Sequence, residues 1–241
     1  MKVSLDQHFM TDPRMLDRIA RAAELTPKNR VLEIGAGTGN LTRALAQAGA
    51  KVTAVEIDHE LASVLKERFS GSRNVEIIEG NALKLIRKTK FNKIVANIPY
   101  AICEPLMQAL RVIDFELAIL TIPEGFYERL RSDSRLGLES RIFFEIREMF
   151  KVPKAAFSPQ PDTESVMVSI RPKKSVLRQV LLQPNRLVKN AIMEALVEAK
   201  KCTKNQAREA IKGMELSNII GEKRVADMDL NDLRQLISKL K

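Results

Sequence analysis

The sequence predicts an α/β fold with a mostly parallel sheet over residues 1–173, followed by a small all-α domain over residues 174–241. Three observations carry that prediction. Short β-branched and aliphatic runs alternate with helical spacings from residue 13 to residue 171. Gly35, Gly37 and Gly39 crowd the junction between the first strong strand and the helix behind it. Beyond Pro172-Lys173-Lys174 the strand signals thin out and helical periodicity remains. Strands alternating with helices of this length are joined by crossovers, which cover both faces of a parallel sheet.

Residues 13–24 read as a helix, and Val31–Ile34 is a compact aliphatic strand running into the glycines. Leu41–Ala48 resumes helical spacing, Lys51–Ile57 is a second strand and Glu60–Phe69 a helix. Val75–Ile78 and Lys93–Ala96 are further strands, Pro105–Val112 is helical, and Leu117–Ile122 is a strand of the buried type. Helices follow at Glu124–Arg131 and near Leu138–Met149. Thr163–Arg171 alternates Val166, Val168 and Ile170 against Met167 and Ser169, the period of a strand near the end of the sheet. In the tail, Asn185–Lys200, Lys204–Gly213 and Leu230–Leu240 read as three helices. Thr203 with Gln206 forms a capping box, Asp229 caps the last helix, and Leu230, Leu233, Leu236, Ile237 and Leu240 share one of its faces.

With 241 residues, 45% of them apolar and 29% charged, the chain has enough apolar material to bury a core, which excludes a disordered polymer. Two distant cysteines, Cys103 and Cys202, support neither a disulfide framework nor a cysteine-rich zinc site. They fit a reducing, cytoplasmic setting. Lys2, Asp6 and Asp12 stand where an export signal needs apolar residues, and no apolar run approaches the roughly 18 residues of a membrane span. The net charge of +10 points to a polyanionic partner. Residues 174–241 hold 14 Lys/Arg and 8 Asp/Glu, net +6, so the tail is the more basic part per residue. His59 reads as a surface residue, no metal-ligand cluster stands out, and the nine methionines are scattered as core filler.

The run Val31-Leu32-Glu33-Ile34-Gly35-Ala36-Gly37-Thr38-Gly39 sets a glycine loop between strand and helix, where backbone can approach a ligand closely. Its spacing is G-x-G-x-G, whereas dinucleotide binders use G-x-G-x-x-G. S-adenosylmethionine, which carries no phosphate, fits this loop better, and no proton-donor set accompanies it as a dehydrogenase would need. Glu56 lies 17 residues beyond Gly39 at a strand end, where a carboxylate can accept from both ribose hydroxyls. Asp58 reads as a helix N-cap.

Strand Lys93–Ala96 runs straight into Asn97-Ile98-Pro99-Tyr100. A ring-conjugated exocyclic amine is a poor nucleophile because its lone pair is delocalised. Two acceptors that draw its hydrogens out of the ring plane relieve this, and the Asn97 side-chain oxygen with a main-chain carbonyl at Ile98 or Pro99 can be those two. Pro99 fixes the backbone, and Tyr100 offers a flat face to an extruded base. A sulfonium methyl is reactive enough that catalysis reduces largely to positioning.

On these residues the chain resembles the small-subunit ribosomal RNA adenine dimethyltransferases, which place two methyls on each of two adjacent adenines near the 3′ end. Six blocks in order carry the resemblance: Gln7-His8-Phe9-Met10, Glu33 through Thr42, Val55-Glu56-Ile57-Asp58, Glu79-Gly80-Asn81-Ala82-Leu83, Asn97-Ile98-Pro99-Tyr100, and Phe157-Ser158-Pro159-Gln160-Pro161. The resemblance implies a Rossmann-like methyltransferase fold using S-adenosylmethionine, with His8, Met10, Gly35, Gly37, Gly39, Glu56, Asn81 and Asn97 around the cofactor. It implies that Asn97, Pro99 and Tyr100 hold the target adenine, with Phe157 stacking on its other face. The leading reading is an enzyme that docks on small-subunit ribosomal RNA in an immature small subunit, coupled to ribosome biogenesis, and a monomer is the default for an enzyme that docks on something much larger. Asn81 departs from the family's usual aspartate; an amide oxygen still accepts a hydrogen bond but carries no charge. Pro123 and Gly125 interrupt a usual helix start, and Thr163-Glu164-Ser165 replaces V-D-S.

The same blocks occur in large-subunit adenine methyltransferases of the erythromycin-resistance type, and a DNA amino-methyltransferase is a remoter reading. A non-catalytic RNA-binding assembly factor is the alternative from another class, motivated by Asn81 and the basic tail. Arg129, Arg131, Arg135 and Arg141 around Ser132–Gly137 are candidate phosphate contacts, as is the stripe of Lys200, Lys201, Lys204, Arg208 and Lys212.

Overall fold

In chain order the protein forms β1 (Phe9–Met10), α1 (Pro13–Ala22), β2 (Arg30–Ile34), α2 (Asn40–Gln47), β3 (Lys51–Glu56), α3 (His59–Arg68) and β4 (Val75–Glu79). There follow α4 (Ala82–Leu85), β5 (Lys93–Asn97), α5 (Cys103–Leu110), β6 (Leu117–Pro123), α6 (Glu124–Arg131) and α7 (Arg135–Phe143). The rest comprises β7 (Phe144–Val152), β8 (Phe157–Ser158), β9 (Ser165–Pro172), α8 (Val176–Leu181), α9 (Val188–Lys200), α10 (Lys204–Gly213), α11 (Asn218–Glu222) and α12 (Leu230–Lys239). The computed structural model describes residues 7–214 and 218–240, so Lys2 and Asp6 lie outside the described residues. Among these, no helix is long and apolar enough to cross a membrane.

The chain divides into two compact units, residues 1–128 with 145–172, and residues 129–144 with 173–241. The first holds a seven-stranded sheet in the order β4-β3-β2-β5-β6-β9-β7, while β1 and β8 form a separate antiparallel pair. The pairs β4·β3, β3·β2, β2·β5 and β5·β6 are parallel, and β9 runs antiparallel to β6. Strand order reverses at β2, which has β3 on one side and β5 on the other. That reversal opens a crevice beyond the carboxyl ends of β2 and β5, where ligands of open α/β sheets bind.

The same strands explain the core. Val31, Val52, Ala54 and Val95 point into it with Ile19 and Ala23 from the first helical layer and Leu41 and Leu45 of α2. At the opposite end of β5, Lys93 is 7% exposed and its Nζ donates to the carbonyls of Ala23 and Glu24 at 2.8 and 2.7 Å. These follow α1, so a buried ammonium meets the negative end of that helix. Burial lowers the Lys93 pKa, against the opposing charges of Glu24 and Glu116.

One expected helix is a strand for much of its length. Leu138–Met149 has helical spacing, but α7 ends at Phe143 and Phe144–Val152 continues as β7 at the sheet edge. The physical reason is lateral: β7 sits beside β9, which lies well downstream in the chain, and its charges at Glu145, Arg147, Glu148 and Lys151 suit an edge strand facing water. Local spacing is blind to that partner.

The second unit is helical. Arg129–Phe144 belongs with it, unlike the expected single division after residue 173. Arg135 of α7 donates through Nη1 to the Met228 carbonyl at 2.6 Å, and Arg234 of α12 donates to the Asp133 carbonyl at 3.2 Å. The Thr203/Gln206 capping box opens α10, and Asp229 caps α12 through Asn231 N–H and Asp232 N–H. The helix α8, too short to impose a clear period on the sequence, is capped by Ser175.

Candidate functional site

A cavity of about 250 Å³ lies at the crevice, lined at the carboxyl ends of four strands by Ile34, Glu56, Asn81 and Asn97 and by the loops that follow them. Gly35, Ala36, Gly37 and Thr38 form one wall, Pro99 and Tyr100 another, and His8, Met10 and Phe157 close it from the β1·β8 pair. Residues from the start of the chain and from beyond its middle thus meet within one cavity.

The glycine loop is held from two sides. Gly35 N–H and Ala36 N–H donate to the Val55 carbonyl at 2.9 and 3.2 Å, and Gly37 N–H donates to Glu56 Oε2 at 2.8 Å. Glu56, 4% exposed, also accepts from Asp58 N–H through Oε1 at 2.9 Å. Each carboxylate oxygen therefore spends one lone pair on backbone and keeps another for a ligand hydroxyl. Asp58 caps α3 through Leu61 N–H, as expected.

Gly37 has φ +55, and a Cβ there would stand 2.7 Å from Phe9 Cδ1. Phe9 covers the loop only because Gly37 lacks a side chain. Gly37→Ala is expected to lower S-adenosylmethionine affinity about tenfold or more, since strain of ~1–3 kcal/mol is added at the wall; titration calorimetry against wild type measures it. Gly39 behaves differently. It is absent from the cavity wall, and its φ of +80 turns it toward α3, where a Cβ would meet Leu65 Cδ2 at 2.6 Å. Its requirement is close packing of loop on helix, which differs from the expected place beside the cofactor.

At the other wall, the Asn97 carboxamide is oriented. Its Nδ2 donates to the His8 carbonyl at 2.9 Å, which leaves Oδ1 as an acceptor facing away from that bond. Ile98 N–H donates to the Thr121 carbonyl at 3.1 Å, and the Pro99 carbonyl accepts from Ile102 N–H at 3.0 Å. The Ile98 carbonyl has no such donor among the described residues, so of the two main-chain acceptors expected at this turn it is the one left available. Tyr100 shares a hydrogen bond with Ser165 at 3.0 Å, and its ring lies 5.9 Å from His8, tilted by 40°. His8 Nδ1 is 3.0 Å from the Pro159 carbonyl, tying the same strap to the segment after Phe157. Phe157 is 4% exposed and pairs with Met10, so it serves core and cavity together.

Asn81 Oδ1 accepts from Leu83 N–H at 2.9 Å as the N-cap of α4. Aspartate would make the same capping bond equally well, and the amide oxygen keeps a second lone pair after making it.

Among the wall residues that carry no site role in the sequence reading are Ile57 and Glu33. Ile57 remains 66% exposed beside Glu56. Glu33 is 1% exposed, and neither of its oxygens has a hydrogen-bond partner among the described residues. Burial pushes its carboxyl up to about 8; Thr42 lies close enough to oppose the rise, and the Glu56 charge adds to it. A sequence signal exists, since Glu33 stands two residues before the glycine loop inside an aliphatic strand. A buried acid with no hydrogen-bond partner among the described residues suits a ligand that brings positive charge. With the glycine cradle and the Glu56 carboxylate, it is a donor set that fits S-adenosylmethionine.

Of the basic features outside this cavity, the arginines of the Ser132–Gly137 loop are partly used internally. Arg141 Nη1 donates to the Arg131 and Ser132 carbonyls at 2.6 and 3.0 Å, and its Nη2 meets Asp133 at 2.8 Å. Arg135 is paired with Glu139. On α10, Lys204, Arg208 and Lys212 recur at four-residue spacing and are exposed, with Lys212 paired to Glu209.

Sheet order, switch-point cavity and glycine cradle together define a Rossmann-like methyltransferase that uses S-adenosylmethionine. Residues 1–233 match the family model described as ribosomal RNA adenine dimethylase. A relative from Methanococcoides burtonii, described as a probable ribosomal RNA small subunit methyltransferase A, is 40% identical over 207 residues, covering 78% of this chain and 76% of that protein. Among the first curated relatives, the aligned part spans 61% to 76% of their own lengths. A dimethyladenosine transferase structure from Plasmodium falciparum aligns with a TM-score of 0.66 at 30% identity, covering 96% of this chain and 97% of that one. The 23S rRNA methyltransferase ErmE aligns with a TM-score of 0.64 at 26% identity, covering 96% and 99%. The chain belongs to the ribosomal RNA adenine dimethylase family.

Proposed function

We propose that this chain dimethylates exocyclic amines of adjacent adenines in small-subunit ribosomal RNA, acting as a monomer on an immature small ribosomal subunit in the cytoplasm. The observation that carries the reading is the orientation of Asn97: with Nδ2 committed to the His8 carbonyl, Oδ1 is presented as an acceptor next to the available Ile98 carbonyl. Two acceptors at one turn match the two hydrogens of an adenine amine, and drawing those hydrogens out of plane returns the lone pair to nitrogen. Pro99 keeps the turn from supplying a competing N–H. Tyr100, braced by Ser165, gives the extruded base a face to stack on, and Phe157 would bound the other side. When bound, S-adenosylmethionine supplies a methyl group on a cationic sulfur. Glu56 would hold its ribose, the wall from Gly35 to Thr38 its backbone contacts, and Asn81 would meet its base.

The test is transfer of label from tritiated cofactor to small and large ribosomal subunits, followed by nucleoside analysis. Expected is dimethyladenosine in immature small subunits, with Tyr100→Ala losing most of it. Label in large subunits instead would assign the chain to the activity that ErmE's name describes. Absence of cofactor binding in calorimetry would favour a non-catalytic assembly factor.

A further inference from the structure

We propose that the recess at the amino-terminal edge of the sheet, on the far side from the cofactor cavity, is a second docking point for the phosphodiester backbone of the RNA substrate. This rests on the reading of the chain as an RNA methyltransferase. The recess, about 680 Å³, is built by the loops that lead into β2, β5 and β6. Four cations surround it: Lys28 and Arg30 from the first loop, Arg87 and Lys90 from the second. All four are exposed, and none has an ion-pair partner among the described residues. Asp114 is the one acid in the lining.

The scaffold beneath these flexible side chains is fixed. Asn92 accepts from Arg30 N–H through Oδ1 at 2.8 Å, donates from its own N–H to the Arg30 carbonyl at 3.0 Å, and accepts from Glu116 N–H through its carbonyl at 2.7 Å. Asn29, 7% exposed, locks the first loop by accepting from Thr26 N–H at 2.8 Å, and Ile86 is buried below. Three loops are thus stitched at one level, with cations fanned over the rim rather than converging on one buried point. A point anion such as free phosphate would need convergence, whereas a chain of phosphates is served by spread. Phe91, half-buried, and Val112, 52% exposed, add apolar surface against which sugars can lie. β5 separates Asn92 from Asn97 by five strand residues, or about 17 Å, so a folded RNA, unlike a small ligand, can engage this rim while an adenine occupies the cavity.

The experiment compares wild type, the fourfold variant Lys28→Gln/Arg30→Gln/Arg87→Gln/Lys90→Gln, and Asp114→Lys, using naked small-subunit ribosomal RNA and immature small subunits as probes. In the fourfold variant, RNA affinity should fall at least tenfold. The slope of log affinity against log salt should become shallower by about 3, near 0.7–0.9 for each phosphate no longer neutralised. KM for subunits should rise while kcat, cofactor affinity and melting temperature stay at wild-type values. Asp114→Lys, which adds charge of the opposite sense, should bind RNA severalfold tighter with a steeper salt slope. Unchanged salt slopes and KM in both variants overturn the proposal, as does weakened binding to subunits with undiminished binding to naked RNA, which would mark a ribosomal protein as the partner. If the wild-type chain binds RNA through this rim but methylates neither subunit, the methyltransferase reading fails while the docking point stands.

Discussion

Asn97→Ala is expected to lower kcat for small-subunit methylation by about 10²–10³-fold, the scale found when one preorganised group at a reacting centre is removed. The loss should appear equally in kcat and kcat/KM, because the Oδ1 interaction strengthens as the amine nitrogen pyramidalises and adds little to ground-state binding. Asn97→Asp separates the acceptor from its orientation. It keeps an oxygen acceptor but sets a second oxygen against the His8 carbonyl, where the native Nδ2 donor sits at 2.9 Å. Its activity should fall between alanine and wild type, because the side chain is no longer held in one orientation. Single-turnover measurements with saturating cofactor separate these outcomes, and an alanine variant within threefold of wild type would remove Asn97 from the mechanism.

The second large effect concerns Glu33 and pH. The carboxyl sits at about 8 in the folded chain against an ordinary value of 4.5, so the folded state binds a proton that the unfolded state releases between those limits. Its contribution is therefore fully present below about pH 4.5 and is lost as pH rises toward 8, at up to about 1.4 kcal/mol per pH unit. Glu33→Gln keeps the shape without the titration. The cofactor-free variant should melt at a higher temperature than wild type at pH 8, with a difference of order 3–5 kcal/mol that shrinks toward zero by pH 4.5. Because a cationic ligand favours the ionised carboxyl, S-adenosylmethionine should stabilise wild type more at pH 8 than at pH 5.5, and Glu33→Gln should show a weaker dependence. Calorimetric melts across that range check both statements; parallel pH curves for variant and wild type would place the Glu33 proton elsewhere.

Much of the site is legible in the sequence because its chemistry is local. The glycine loop, Glu56 and Asn97-Ile98-Pro99-Tyr100 each sit at a strand end, and backbone demands at such points write themselves into neighbouring residues. The choice between Ile98 and Pro99 as acceptor is not legible, since it depends on Ile102 N–H folding back onto the Pro99 carbonyl. Gly39 shows the same limit in reverse. Its neighbours suggest a ligand, yet the crowding that excludes a side chain comes from Leu65 of α3 and Phe69 at its C-terminal cap. The edge strand β7 is hidden for a related reason: its periodicity is weak, and its partner β9 lies beyond a short local window.

The sequence by itself determined the alternation of strands and helices, the family and the cofactor class, and it named several of the residues that line the cavity, because hydrophobic period, capping and backbone freedom act over a few positions. Tertiary structure alone decided which lone pairs remain free, that Glu33 is buried with no hydrogen-bond partner among the described residues, and that four scattered cations share one rim. Those properties are set by contacts between segments far apart in the chain, where burial and competing hydrogen bonds, not residue type, fix what a side chain can still do.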